Sequence, residues 1–230
     1  DAAQFQKTDI KPICQLRLEF GLEGQQLRVA LDQIEHFGTQ RDQKAHPAMR
    51  RTEQPVGVPD HILEGEGSLI YLSLGSLGSA DVDLMKRLVS VLGRTRHRFI
   101  VSKGPLADEY ELPSNMWGAA QVPQTNVLPL VDLIITHGGN NTTTEAFHFG
   151  KPMIVLPLFW DQYDNAQRVH ELGYGQRLDT YGFADDELLS AVDRLLADSA
   201  LRTRMAGNAE VIRSRAGTSR AADLIEALAR

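Results

Sequence analysis

From Leu69 onward the chain repeats one pattern: a short apolar run, an abrupt glycine-rich or polar loop, then an amphipathic stretch. Leu69–Leu74 ends in Gly75-Ser76-Leu77-Gly78-Ser79, Asp132–Thr136 in His137-Gly138-Gly139, and Pro152–Leu156 leads into Phe159-Trp160-Asp161-Gln162. Arg98–Ser102 reads as a further strand. Apolar runs without polar alternation suit strands covered on both faces, and such strands pair in parallel through helical crossovers. Between them Val82, Met85, Val89 and Leu92 recur at three- and four-residue intervals, which places one helical face on the sheet from near Asp81. A helix is expected over Asn165–Leu172, another through Leu188, Leu189, Val192, Leu195 and Leu196, and two more over 199–216 and 218–229. The expected fold is α/β, a parallel sheet with helices on both faces.

The first 67 residues read differently. They hold glutamine-rich and charged stretches such as Thr39–Lys44, no strand pattern, and one or two helices within Leu16–Leu31 broken at Gly21 and Gly24. They are expected to form a partly helical arm or linker (1–67) preceding a ligand-binding domain (68–230). With 42% apolar and 23% charged residues, the chain of 230 residues has the composition of a folded globular protein. Its net charge of −6 and scattered basic residues argue against a nucleic-acid partner. The longest apolar run, Met153–Trp160, is too short to span a bilayer, which takes about 20 residues. Cys14 is the sole cysteine, so no disulfide can form within the chain, and a reducing, cytoplasmic location is expected.

In open parallel sheets, ligands bind beyond the carboxyl ends of the strands, where helix N-termini converge. There the run His137-Gly138-Gly139-Asn140-Asn141-Thr142-Thr143-Thr144-Glu145 combines close backbone approach, hydroxyl and amide donors, and the unpaired N–H groups of a helix starting near Thr142. These are the parts of a phosphate cradle. His137 adds a donor, or a positive charge when protonated. Glu145 has two readings: a capping box with Thr142, or an acceptor for the vicinal hydroxyls of a ribose. Asp161 and Gln162, on the neighbouring loop, suit the hydroxyls of a sugar. Asp81 and Asp83 open a helix and favour its positive end rather than forming a metal pair.

The run HGGNNTTTEAFHFGKPMIVLPLFWDQYDNAQ resembles the donor-binding signature of UDP-glycosyltransferases. The likeness extends over about Leu69 to Leu196, through YLSLGS, VPQ, HGG, the glutamate and the DQ pair in register. It implies the Rossmann-like, carboxyl-terminal half of a GT-B fold, binding a UDP-sugar or related nucleotide sugar as donor substrate with no metal and no other cofactor. By this resemblance His137 contacts the diphosphate and is the catalytic donor, while Gly139, Asn140, Asn141, Thr142 and Ser76 complete the phosphate site. Glu145 binds the ribose, Asp161 and Gln162 the transferred sugar, and Val122 meets the base beside Gln124. The chain departs from the plant box at Gln121 and Asn140, where plant members carry tryptophan, and Trp117 reads as packing.

The resemblance implies transfer of a sugar to a small-molecule acceptor, with inversion. The acceptor site and its general-base histidine belong to an amino-terminal half that the sequence does not display. His36, His46 and His61 follow no recognisable first strand, and His97, His148 and His170 fall in or beside helices. This leaves two alternatives: the donor-binding half of an enzyme, or a non-catalytic nucleotide-sugar-binding module that needs a separate acceptor domain or partner chain. An epimerase on the same fold would need carboxylates from an opposite domain. An apolar face left by the missing half would favour a homo-oligomer.

Overall fold

A computed structural model of the chain describes residues 57–215 and 217–228. The described residues 57–215 form one unit, and the helix Gly217–Leu228 belongs to another. Cys14, His36, His46 and the helices expected within Leu16–Leu31 lie outside the described residues.

Six strands make one sheet: β1 (Leu69–Ser73), β2 (Arg98–Ser102), β3 (Met116–Ala119), β4 (Leu133–Thr136), β5 (Met153–Val155) and β6 (Gly175–Arg177). Their order is β3-β2-β1-β4-β5-β6, with every neighbouring pair parallel. The helices are α1 (Asp60–Leu63), α2 (Gly75–Gly78), α3 (Val82–Leu92), α4 (Gln124–Val127), α5 (Asn140–Phe149), α6 (Gln162–Glu171), α7 (Asp185–Ala197) and α8 (Ser199–Ser214). Strands β1 and β4 are buried along their whole length, and Leu72 lies in register between Val101 of β2 and Ile135 of β4. This burial on both faces explains why the central runs carry no polar alternation.

Successive side chains feed two cores. Ile70, Leu72, Phe99, Val101 and Ile135 meet Met85 and Leu88 of α3 and Leu188 and Val192 of α7. Leu69, Tyr71, Ile100, Ile134 and Val155 meet Ile62 of α1, Ala146 of α5 and Val169 of α6. Helices therefore cover both faces, as the sequence pattern indicates. Two strands were not expected, β3 and β6, and they are the two edges of the sheet. Val58 and Ile62 are buried, and the Arg98 guanidinium donates to the carbonyls of Glu66 (3.0 Å) and Gly67 (2.9 Å). The described part of the expected arm thus packs onto the sheet. Asp81 caps α3 by accepting from the Leu84 N–H at 3.0 Å. No described helix is long and apolar enough to cross a membrane.

The strand order places the site. From β1 the chain moves outward to β2 and β3; from β4 it moves the other way, to β5 and β6. Helix α3, after β1, packs on one face, and α5, after β4, on the other. The loops leaving these adjacent strands consequently diverge, and a crevice opens at the carboxyl edge between them.

Candidate functional site

Two loops face each other across that crevice. The first leaves β1 through Leu74 into Gly75, whose φ of +70° is a left-handed conformation suited to glycine. The second leaves β4 through Thr136 into His137, turns at Gly138 (φ +85°) and enters α5 at Gly139. A Cβ on Gly75 would lie 2.8 Å from His137 Cε1, and one on Gly139 would lie 2.5 Å from His137 Nε2. The imidazole is therefore seated against both loops, in space that only paired glycines leave open. Thr136, fully buried, fixes the turn: its hydroxyl accepts from the Gly138 N–H at 3.3 Å and lies 3.4 Å from His137 Nδ1.

Helix α5 begins at Asn140, not near Thr142, and its first intrahelical bond runs from the Thr143 N–H to the Gly139 carbonyl (3.0 Å). The amides of Asn140, Asn141 and Thr142 precede that bond, and Gly139 has no side chain to cap them. They form a positive helix end beside the imidazole. This start also removes the capping-box reading of Thr142 and Glu145, because Thr142 is the third helical residue and not the N-cap. Both side chains instead meet Gln124, whose Nε2 donates to Thr142 Oγ1 (3.2 Å) and Glu145 Oε2 (2.5 Å). Three residues expected in the site are thus joined in one hydrogen-bonded group, and Val122 stands two residues before Gln124, just ahead of α4, half-buried.

The third loop follows β5. Helix α6 starts at Gln162, three residues earlier than expected, and Gln162 is buried. Its Oε1 accepts from the N–H groups of Leu158 (2.9 Å) and Phe159 (3.2 Å), so this oxygen braces its own loop. Asp161 is exposed. Asn165, which sequence reasoning passed over, links the loops: its Nδ2 donates to the Gly138 carbonyl (2.9 Å), Asn140 Oδ1 (3.0 Å) and, at 3.4 Å, Asp161 Oδ2. The signal was present in the four-residue interval from Asp161, one helical turn. Ser76 lies exposed in α2, and Asn141 is exposed at the start of α5. Trp160, next to Asp161, holds a φ of +54°, a conformation that costs a residue with a Cβ about 1–3 kcal/mol.

Burial pushes the His137 pKa below its ordinary value of 6.5, against the opposing pulls of the Ser73 carbonyl and the Asp161 carboxylate. The ring is therefore neutral in the free site at neutral pH. Between the lowered native value and 6.5 the unfolded chain binds the extra proton, so folding is favoured above this window and the contribution is lost as pH falls through it. Denaturation at pH 7.5 and pH 5.5 should accordingly show a larger fall in urea midpoint for the parent than for His137→Gln; equal falls would contradict this.

A neutral imidazole, unpaired amides and a carboxylate on one edge match a phosphorylated, hydroxyl-rich ligand. Residues 86–228 match the family described as erythromycin biosynthesis protein CIII-like, C-terminal domain. Over 162 residues the chain is 33% identical to the NDP-glycosyltransferase YjiC of Bacillus subtilis (strain 168), covering 69% of this chain and 41% of that protein. The glycotransferase of kitacinnamycin superposes with a TM-score of 0.68 at 31% identity, over 79% of this chain and 47% of the other. CalG4, the calicheamicin glycosyltransferase, gives 0.63 at 29% identity, over 76% and 44%. The chain thus spans less than half the length of each of these proteins.

Proposed function

Because the chain belongs to the erythromycin biosynthesis protein CIII-like C-terminal domain family of glycosyltransferases, we propose that it holds the nucleotide-sugar donor while the sugar passes to an acceptor. The observation that carries this reading is the seat of His137 between Gly75 and Gly139, beside the open start of α5. As the bond from the anomeric carbon to the diphosphate breaks, negative charge grows on the leaving oxygen. Donors already fixed around that oxygen need no reorganisation, and this favours the transition state over the bound substrate. His137 and the amides of Asn140, Asn141 and Thr142 take that part. Gly139 gives the diphosphate close approach, and Ser76 reaches it from the first loop. Attack on the opposite face of the sugar, with inversion, and independence from metal belong to the same proposal, as does a cytoplasmic location.

Glu145 binds the ribose. One carboxylate oxygen accepts from Gln124, and the other is assigned to the vicinal hydroxyls, with Val122 meeting the base through its backbone. Glu145→Gln should weaken UDP binding about tenfold, the worth of one charge-assisted hydrogen bond. Binding of dTDP, which lacks the 2′-hydroxyl, should weaken less; equal losses measured by calorimetry would remove the ribose assignment. Asp161 and the free side of Gln162 take hydroxyls of the transferred sugar.

The general base and acceptor site are assigned to a further domain or partner chain. The alternative is a binding module without chemistry of its own. Titrating the chain with a panel of UDP- and dTDP-sugars tests the donor reading, and lack of binding to every member would overturn it. Binding without donor hydrolysis or transfer supports the module, and transfer to a supplied acceptor supports a complete enzyme.

A further inference from the structure

The bend between β5 and α6 presents Trp160 with 80% of its surface exposed and its backbone left-handed, φ +54°. Among the described residues it is the non-glycine residue in that region of backbone space. Such a conformation is unfavourable for a residue with a Cβ, and an indole left in water gains no burial to offset it. The bend is nevertheless braced. Gln162 Oε1 holds the amides of Leu158 and Phe159, the Tyr163 hydroxyl donates to the Leu158 carbonyl at 3.3 Å, and Phe159 meets Trp160 edge to face at 5.0 Å. A large aromatic surface held outward on a fixed turn is organised in advance for contact, so little ordering remains to be done on binding.

Its position indicates what it contacts. Asp161 follows directly, and Asn165 ties the Asp161 carboxylate to Asn140 and to the carbonyl of Gly138, within the loop assigned to the diphosphate. The indole therefore sits one residue from the carboxylate assigned to the sugar. We propose that Trp160 is a specificity-determining residue: its ring forms an apolar platform for the C–H face of the donor's hexose, while Asp161 takes the hydroxyls. This rests on the donor-binding reading and names the group that recognises the sugar beyond the diphosphate.

The chain has two tryptophans. Trp117 lies half-buried on β3 against the second core, which makes it an internal reference for fluorescence. The full chain is titrated with UDP, UDP-glucose, dTDP and dTDP-glucose, following emission and heat, in the parent and in Trp160→Ala and Trp160→Phe. The sugar nucleotides should alter an emission component that Trp160→Ala lacks, and the plain diphosphates should leave it unchanged. Trp160→Ala should lose about fivefold to tenfold in affinity for the sugar nucleotides and stay within about twofold for the diphosphates, with Trp160→Phe recovering most of the loss. An alanine variant that keeps the parent's sugar-nucleotide affinity, or that loses both ligand classes equally, overturns the platform while leaving the donor site intact. A parent that binds neither class overturns the donor reading, and the platform with it.

Discussion

His137→Ala should lower turnover of the complete enzyme containing this half by about 10²–10³-fold, the typical effect of removing one fixed donor from a developing negative charge. The loss should fall mainly on turnover, with nucleotide-diphosphate affinity changing by no more than about tenfold. The reason lies in when the charge appears. On the proposed reading the diphosphate of the bound donor already meets the amides of α5, whereas the leaving oxygen gains its charge only as the glycosidic bond breaks. A neutral ring, held neutral in the free site by burial, adds little to ground-state attraction and more to that moment. Unchanged turnover would remove His137 from the chemistry, and an equal loss in affinity and turnover would reduce it to a binding group.

Gly139→Ala should reproduce most of that loss without touching the imidazole's chemistry. The backbone at Gly139 (φ −62°, ψ 147°) is open to any residue, so alanine brings no conformational strain there. Its Cβ would, however, sit 2.5 Å from His137 Nε2, and the ring must move. About 10²-fold in turnover is expected, since a displacement of about 1 Å from productive geometry costs on that order. The double variant Gly139→Ala/His137→Ala should be little worse than His137→Ala alone, because both changes remove the same interaction. Additive losses would mean that Gly139 acts through the α5 amides instead. Thermal denaturation of the single variant should show a folded protein, since Gly139 lies at the crevice rather than in either core.

The centre of the sheet was legible in the sequence and its edges were not. Strands β1, β2, β4 and β5 are covered on both faces, so Leu69–Leu72 and Leu133–Ile135 stand out as apolar runs without polar alternation. Strand β3 begins with one buried residue followed by three half-buried ones, and β6 is Gly175-Gln176-Arg177 with none buried. Strand β6 carries no apolar residue, and Met116-Trp117-Gly118-Ala119 of β3 lacks β-branched residues and holds a glycine, both of which weaken a strand signal. The helix starts were misplaced by two or three residues for a related reason. Asn140-Asn141-Thr142 and Gln162-Tyr163-Asp164 are polar runs, and helices anchored by their later apolar residues leave little local trace of where they begin.

Within the site, the chemistry-bearing residue types were legible, and their partnerships were not. His137-Gly138-Gly139 announces close backbone approach, but nothing in the sequence indicates that Gly75, 62 positions earlier, closes the other side of the ring. The join of Gln124 to Glu145 likewise links the start of α4 to the middle of α5, 21 residues apart. The contact of Asn165 with Asp161 spans four residues, one helical turn, but a helix expected only from Asn165 left Asp161 outside it. Trp160 drew notice only as an aromatic before an acidic residue; its left-handed backbone and its exposure are facts of the folded loop.

A crystal structure of this chain with a bound UDP- or dTDP-sugar tests the seat of the diphosphate directly. The diphosphate should lie at the start of α5, within hydrogen-bond distance of the amides of Asn140, Asn141 and Thr142 and of the His137 ring, with the sugar directed towards Asp161. A diphosphate bound elsewhere, or a crevice between Gly75 and Gly139 closed by the chain's own side chains with the ligand excluded, would contradict it.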